Sequence, residues 1–77
     1  MKRAYSDDLE EVHNEIQNAK QIWTDDFKNF HEAYAVILEE VDELWDEIKK
    51  KEHDKGAIRK EAIQAAAMLV RLITELT

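Results

Sequence analysis

The residues best equipped for chemistry are carboxylates. Six of the nine residues from Glu39 to Glu47 are acids: Glu39, Glu40, Asp42, Glu43, Asp46 and Glu47. In a helix, the apolar stripe Phe30, Tyr34, Ile37, Val41, Leu44 and Ile48 sets the buried direction. Asp42 and Asp46 then turn about 120° to 160° away from it, toward water, whereas Glu40 turns only about 80° away, to the edge of the stripe. Glu40, Glu43 and Glu47 form a row on neighbouring turns, where like charges repel unless a cation or a base offsets them. No lysine or arginine stands between positions 40 and 47. A solvated acidic face would account for the same row, because glutamate pairs at this spacing are frequent in acidic helices.

A second segment supplies opposing donors. Glu61 lies about 70° from the stripe Ile58, Ala62, Ala65, Leu69, Leu72 and Leu76. Gln64 follows among Ala62, Ile63, Ala65 and Ala66, company in which an amide needs a hydrogen-bond partner. The link between the two helices is short, which makes them antiparallel neighbours and sets Glu40 and Glu43 against Glu61 and Gln64 across one groove. Three carboxylates and an amide oxygen are hard ligands that suit Mg²⁺ or Mn²⁺ rather than zinc or copper. His13, His31 and His53 share no ligand spacing, which argues against zinc, and Met1 and Met68 carry no visible chemical role.

The elements that must position these groups follow from periodicity. Tyr5, Leu9, Val12, Ile16, Ala19 and Trp23 alternate by four and three, predicting a first helix over residues 5 to 22, with Ser6, Asp7 and Asp8 as cap candidates and first-turn acids. Thr24, Asp25 and Asp26 read as a break and a fresh start, so a second helix is expected from there to about residue 52, with Lys49, Lys50 and Lys51 in its last turn. His53, Asp54, Lys55 and Gly56 form the clear connection, Asp54 being placed to cap a third helix over roughly 56 to 76. That helix is apolar beyond one face, through Ile63, Ala66, Ala67, Met68 and Val70, and a helix apolar on most sides must be covered on most sides. Self-association into a homodimer or homotetramer is therefore expected.

With 77 residues, the chain has room for one domain, residues 1 to 77. It has no cysteine, so disulfides and thiolate metal sites are excluded, and a core this small calls for another stabiliser. The absence of proline, a single glycine and 38% charged residues predict an all-α fold. The expected architecture is an antiparallel bundle of about three helices per chain, completed by oligomerisation. The formal charge of −7 opposes binding to phosphate backbones and anionic lipid, so neither nucleic acid nor membrane is an expected partner. No apolar run resembles a signal peptide or a membrane span, which makes the cytoplasm the expected address.

The stretch from His31 to Trp45, containing Glu39-Glu40-Val41-Asp42-Glu43, together with the stretch from Arg59 to Met68, containing Glu61-Ala62-Ile63-Gln64, resembles the MazG-like branch of the all-α nucleoside triphosphate pyrophosphohydrolases. The hallmark of that superfamily is EExxE, a variable gap, then ExxD, on two helices that bind magnesium together. The likeness covers roughly residues 30 to 74. It departs at Gln64, which stands where the hallmark has Asp and brings an oxygen but no charge, so weaker hold on the cation is expected.

The resemblance implies hydrolysis of a nucleoside triphosphate substrate to a monophosphate and pyrophosphate, in the clearance of non-canonical or surplus nucleotides. Glu40, Glu43, Glu61 and Gln64 would hold Mg²⁺, and Glu39 would orient or deprotonate the attacking water. On the wheel centred on the apolar stripe Glu39 lies on the far side, which requires the first helix or another subunit to close over it. Arg59 and Lys60, ahead of Lys49, Lys50 and Lys51, are candidates to contact the leaving pyrophosphate. Trp23 and Phe30, and with them Phe27, are candidates to stack on a base. The rival function is a helical interaction module with little or no activity, whose acidic row serves a basic partner or solubility.

Overall fold

The computed structural model describes residues 3–77, and those residues form three helices and no strand. Helix α1 spans Tyr5–Ile22, α2 Phe30–Ile48 and α3 Lys55–Leu76. The periodicity located α1 to the residue and α3 to within one. The expected caps of α1 are not used: Ala4 is the N-cap and offers no side-chain bond, while Asp7 and Asp8 sit in the first turn, where they favour the positive end of the helix dipole.

Helix α2 starts later than the break at Thr24 to Asp26 suggests and stops before the expected end near residue 52, so that its bounds coincide with the two ends of its apolar stripe. Asn29 is the N-cap, its Oδ1 accepting from the Glu32 N–H at 2.8 Å, while Glu32 Oε1 accepts from the Lys28 N–H at 2.9 Å. This reciprocal arrangement is close to a capping box and fixes the start at Phe30. Residues 23–29 are consequently an irregular connection rather than a first turn. At the other end Lys49 is the C-cap, so the three lysines lie beyond the last turn, where Lys49 pairs with Asp46 and Lys50 with Glu47, each at 3.0 Å. The His53 ring donates to the Ile48 carbonyl through Nε2 at 2.9 Å, which satisfies one of the carbonyls that a helix end leaves free. Asp54 caps α3 as expected, accepting from the Ala57 N–H at 3.1 Å, and Gly56 lies inside the first turn of α3.

Helix α3 is the central element, packing along both α2 and α1, whereas α1 and α2 do not pack on each other. Glu43 meets Glu61 and, one turn back on α2, Glu40 meets Gln64 one turn on along α3, so these two helices are antiparallel. Helix α1 runs in the same direction as α3: its early Asp8 and Glu11 meet Arg59, and its late Lys20 meets Glu75. The core is small. Val12, Phe27, Ala33, Ile37, Ala67 and Met68 form it, with Ile16, Ala19, Val36, Ile63 and Leu72 against its edge.

The buried face of α2 differs from the stripe read from sequence. Ala33, Ile37 and Leu44 turn inward with Glu40 beside them, while Phe30, Tyr34, Leu38, Val41, Trp45 and Ile48 remain exposed along one flank. The physical reason is that α2 is apolar on two adjoining faces and has only one helix to cover it. Tyr5 and Leu9 of α1 and Leu69 of α3 are likewise exposed, because α1 has a single neighbour and α3 turns its buried residues toward α1 and α2.

The 23–29 connection is tied down over the C-terminal half of α3. Arg71, only 5% exposed, donates to both carboxylate oxygens of Glu75, to the Asp25 carbonyl at 3.3 Å and toward the Met68 sulfur. Its guanidinium lies 4.3 Å from the centre of the Phe27 ring, and Glu75 Oε1 accepts from the Phe27 N–H at 2.8 Å. Lys20 reaches Asp26 at 2.6 Å and Glu75 at 3.7 Å. A buried guanidinium with a full set of acceptors replaces here the apolar contacts that a larger core would provide. No helix is long and apolar enough to cross a membrane among the described residues.

Candidate metal centre

Because α1 and α2 diverge above α3, they leave an open groove of about 830 Å³, closed at one end by residues 23–28. Its α1 wall includes Glu15, Asn18 and Ala19, its α2 wall Val36, Glu39 and Glu40, and its floor Gln64, Met68 and Arg71. At the seam between α2 and α3, one carboxylate oxygen from each of Glu40, Glu43 and Glu61 lies within 4.8 Å of the others. Spacing on two antiparallel helices brings them there: i, i+3 on α2 faces the N-terminal half of α3.

The Gln64 amide sits between two of these carboxylates. With its NH₂ turned toward them it donates to Glu61 Oε2 at 3.2 Å and to Glu40 Oε2 at 3.3 Å, bridging α3 to α2. Turned by half a rotation, the same amide offers its oxygen to the same space. The cluster thus holds three carboxylates and a reversible amide. Magnesium holds its oxygens at about 2.0–2.1 Å, so oxygens across one ion stand about 4 Å apart, and side-chain movement of about an ångström would let the three share it. The donor set fits a hard divalent cation.

The electrostatics express the same crowding. Partial burial, reinforced by the charges of Glu43, Glu61 and Glu39, holds the Glu40 carboxyl above the usual glutamate range. Glu61 is raised as well, first by desolvation and then by its contact with Glu43, with Lys60 pulling in the opposite direction. Both shifts mark carboxylates short of positive charge.

The remaining candidates separate clearly by position. Glu39 is exposed and lines the groove beside Glu40, so the far-side placement taken from the exposed stripe is corrected by the true inward face of α2, and α1 forms the opposite wall. Trp23 lines the groove at its closed end. Phe27 lies between that groove and the core, held by Arg71. Phe30 is on the opposite, exposed flank of α2 and does not line the groove, so the structure does not place it to stack on a ligand there. Lys60 lines a smaller cleft of about 300 Å³ between α1 and α3, which shares Glu15, Asn18 and Gln64 with the main groove. Arg59 lines that cleft too, but its guanidinium is engaged by Asp8 at 2.8 Å and by Glu11, and its bond to Asp8, with that of Arg3, pulls the Asp8 carboxyl below its usual range. Arg59 therefore ties α1 to α3, and a role toward an anion would require it to leave both acids.

Several lining residues were missed by sequence reasoning. Glu15 and Asn18 carry no motif, and only the packing of α1 on α3 reveals them. Arg71 did leave a signal: a single cation within the apolar run from Ala65 to Ile73, with a glutamate four residues on, is the pattern of a buried pair. No protein-family profile, curated protein or solved structure matches this chain.

Proposed function

We propose that the chain is a Mg²⁺-dependent nucleoside triphosphate pyrophosphohydrolase, releasing a nucleoside monophosphate and pyrophosphate. The observation that carries the reading is the convergence of Glu40, Glu43 and Glu61 within 4.8 Å at the rim of a groove large enough for a nucleoside. The EExxE and Glu61-x-x-Gln64 likeness described above supports it as well. A chain of charge −7 can receive a polyphosphate only where its local field is reversed. A bound Mg²⁺ would supply that reversal, polarise the phosphate and lower the pKa of a coordinated water.

Glu40, Glu43 and Glu61 would hold the cation, with the Gln64 oxygen as a fourth donor. Glu39, exposed on the groove wall next to Glu40, would orient the attacking water and take its proton. Lys60 would meet the outgoing pyrophosphate from the adjoining cleft, and the Trp23 ring offers a face to the base. Self-association and a cytoplasmic address belong to the same proposal.

The decisive experiment incubates the purified protein with a panel of nucleoside triphosphates and Mg²⁺ and quantifies monophosphate and pyrophosphate. Turnover that disappears in chelator and falls roughly a hundredfold or more in Glu43→Gln is expected, since even groups that merely support a metal ligand are worth about 10–100-fold. Production of diphosphate and orthophosphate would overturn the bond assignment. Absence of turnover across the panel would leave the helical interaction module.

A further inference from the structure

We infer that the uncharged flank of α2, joined to the outward side of α3, is the surface on which a second copy of this chain docks. The antiparallel register that sets Glu43 against Glu61 and Glu40 against Gln64 continues along the pair. It brings the Tyr34 and Leu38 turns level with Leu69, and the start of α2 level with Ile73. Tyr34 is 64% exposed, Trp45 57%, Leu69 48% and Ile73 60%. Helical spacing places these residues, with Leu38 and Val41, on the side of the α2–α3 pair opposite the groove. The acids of the 39–47 segment point elsewhere: Glu39 and Glu40 to the groove, Asp42 and Asp46 away from both.

Three observations select a second copy as the occupant. The chain exposes 6147 Å². A monomeric protein of its 9.1 kDa mass exposes about 4,900 Å². The excess, roughly 1,200 Å², exceeds the about 800 Å² that each partner gives up in an interface of standard size. Next, two chains each carrying −7 repel, and this flank lets them meet without setting carboxylate against carboxylate. Finally, an uncharged apolar face rich in aromatic anchors calls for a matching uncharged face, and a two-fold axis gives it one from the same chain. A basic partner would choose the groove side, and an anionic membrane would be repelled.

Pairing on this flank leaves the groove and the Glu40 cluster open in both copies, so the inference does not depend on metal binding or turnover. Sedimentation equilibrium of the full chain over a range of micromolar concentrations tests it. The expected result is twice the chain mass, with Trp45→Glu combined with Leu69→Glu weakening association at least a hundredfold. Tyr5→Glu, an exposed α1 position outside the flank, should leave the double mass unchanged. Because the charged variant can fail to fold if pairing is obligatory, Trp45 emission in a Trp23→Phe background provides a second measurement. It should shift to the blue, and resist quenching by acrylamide, as concentration rises. A wild-type chain of single mass at every concentration would overturn the inference and assign the flank to a different protein. Double mass in the charged variant, or Trp45 emission that stays solvent-like throughout, would overturn it too.

Discussion

Glu43 stands where charge repulsion and the proposed hold on a cation pull in opposite directions. Its charge raises the pKa of both Glu40 and Glu61, so without a cation the native state would be better off without it. Glu43→Gln is therefore expected to raise the melting midpoint in chelator by roughly 2–8 °C, from two relieved like-charge pairs at about 0.2–0.5 kcal/mol each in a domain this small. Under the proposed function Mg²⁺ should raise the midpoint of the wild type, and the same substitution should abolish that rise. That shift amounts to about 2.7 kcal/mol when the metal is a hundredfold above its Kd. Thermal melts of both proteins, with and without magnesium, check the two halves together. Glu75 behaves in the opposite sense. Arg71 and the Phe27 N–H hold its carboxyl below the usual range, so its stabilisation is complete above the ordinary glutamate pKa and is lost as pH falls through the lower folded value. Arg71→Leu leaves Glu75 buried with only Lys20, at 3.7 Å, as a counter-ion. It should cost about 3–5 kcal/mol in urea melts at neutral pH, with the loss shrinking as pH drops below that range and Glu75 becomes neutral.

At the scale of the element, α2 shows what a one-dimensional pattern conveys. The spacing of apolar residues located α1 by itself, since Ala4 offers no side-chain cap, and located α3 together with the cap at Asp54. For α2 the acids at positions 25 and 26 mimicked a cap, while the working cap, Asn29 with Glu32, lay four residues further on in plain sight. Asn29→Ala should destabilise the fold by about 1 kcal/mol, near the middle of the range for lost caps, and lower the midpoint by about 4–8 °C. Asn29→Asp should restore most of the loss. The inward face of α2 was less legible. Phe30, Tyr34, Val41 and Ile48 have the right period for a core stripe, and a wheel cannot tell which of two adjoining apolar faces meets a neighbour in the same chain. Selecting the wrong face is also what put Glu39 on the far side of the helix, whereas Glu40, Glu43, Glu61 and Gln64 came together as their spacing required, being fixed by the short link and the antiparallel pairing of α2 with α3.

For the whole molecule, legibility ends where contacts are remote in sequence. The groove owes its shape to Arg71 catching the Asp25 carbonyl and to Arg59 catching Asp8 and Glu11, pairings across 46 to 51 residues that no local spacing encodes. They decide how far α1 stands from α2. Those two helices lean on a common third without supporting each other, so the chain is an open arch rather than a closed bundle. Whatever settles between Asn18 on one pillar and Glu39 on the other would serve as the missing crossbeam, and occupancy would then stiffen the molecule at its least braced span.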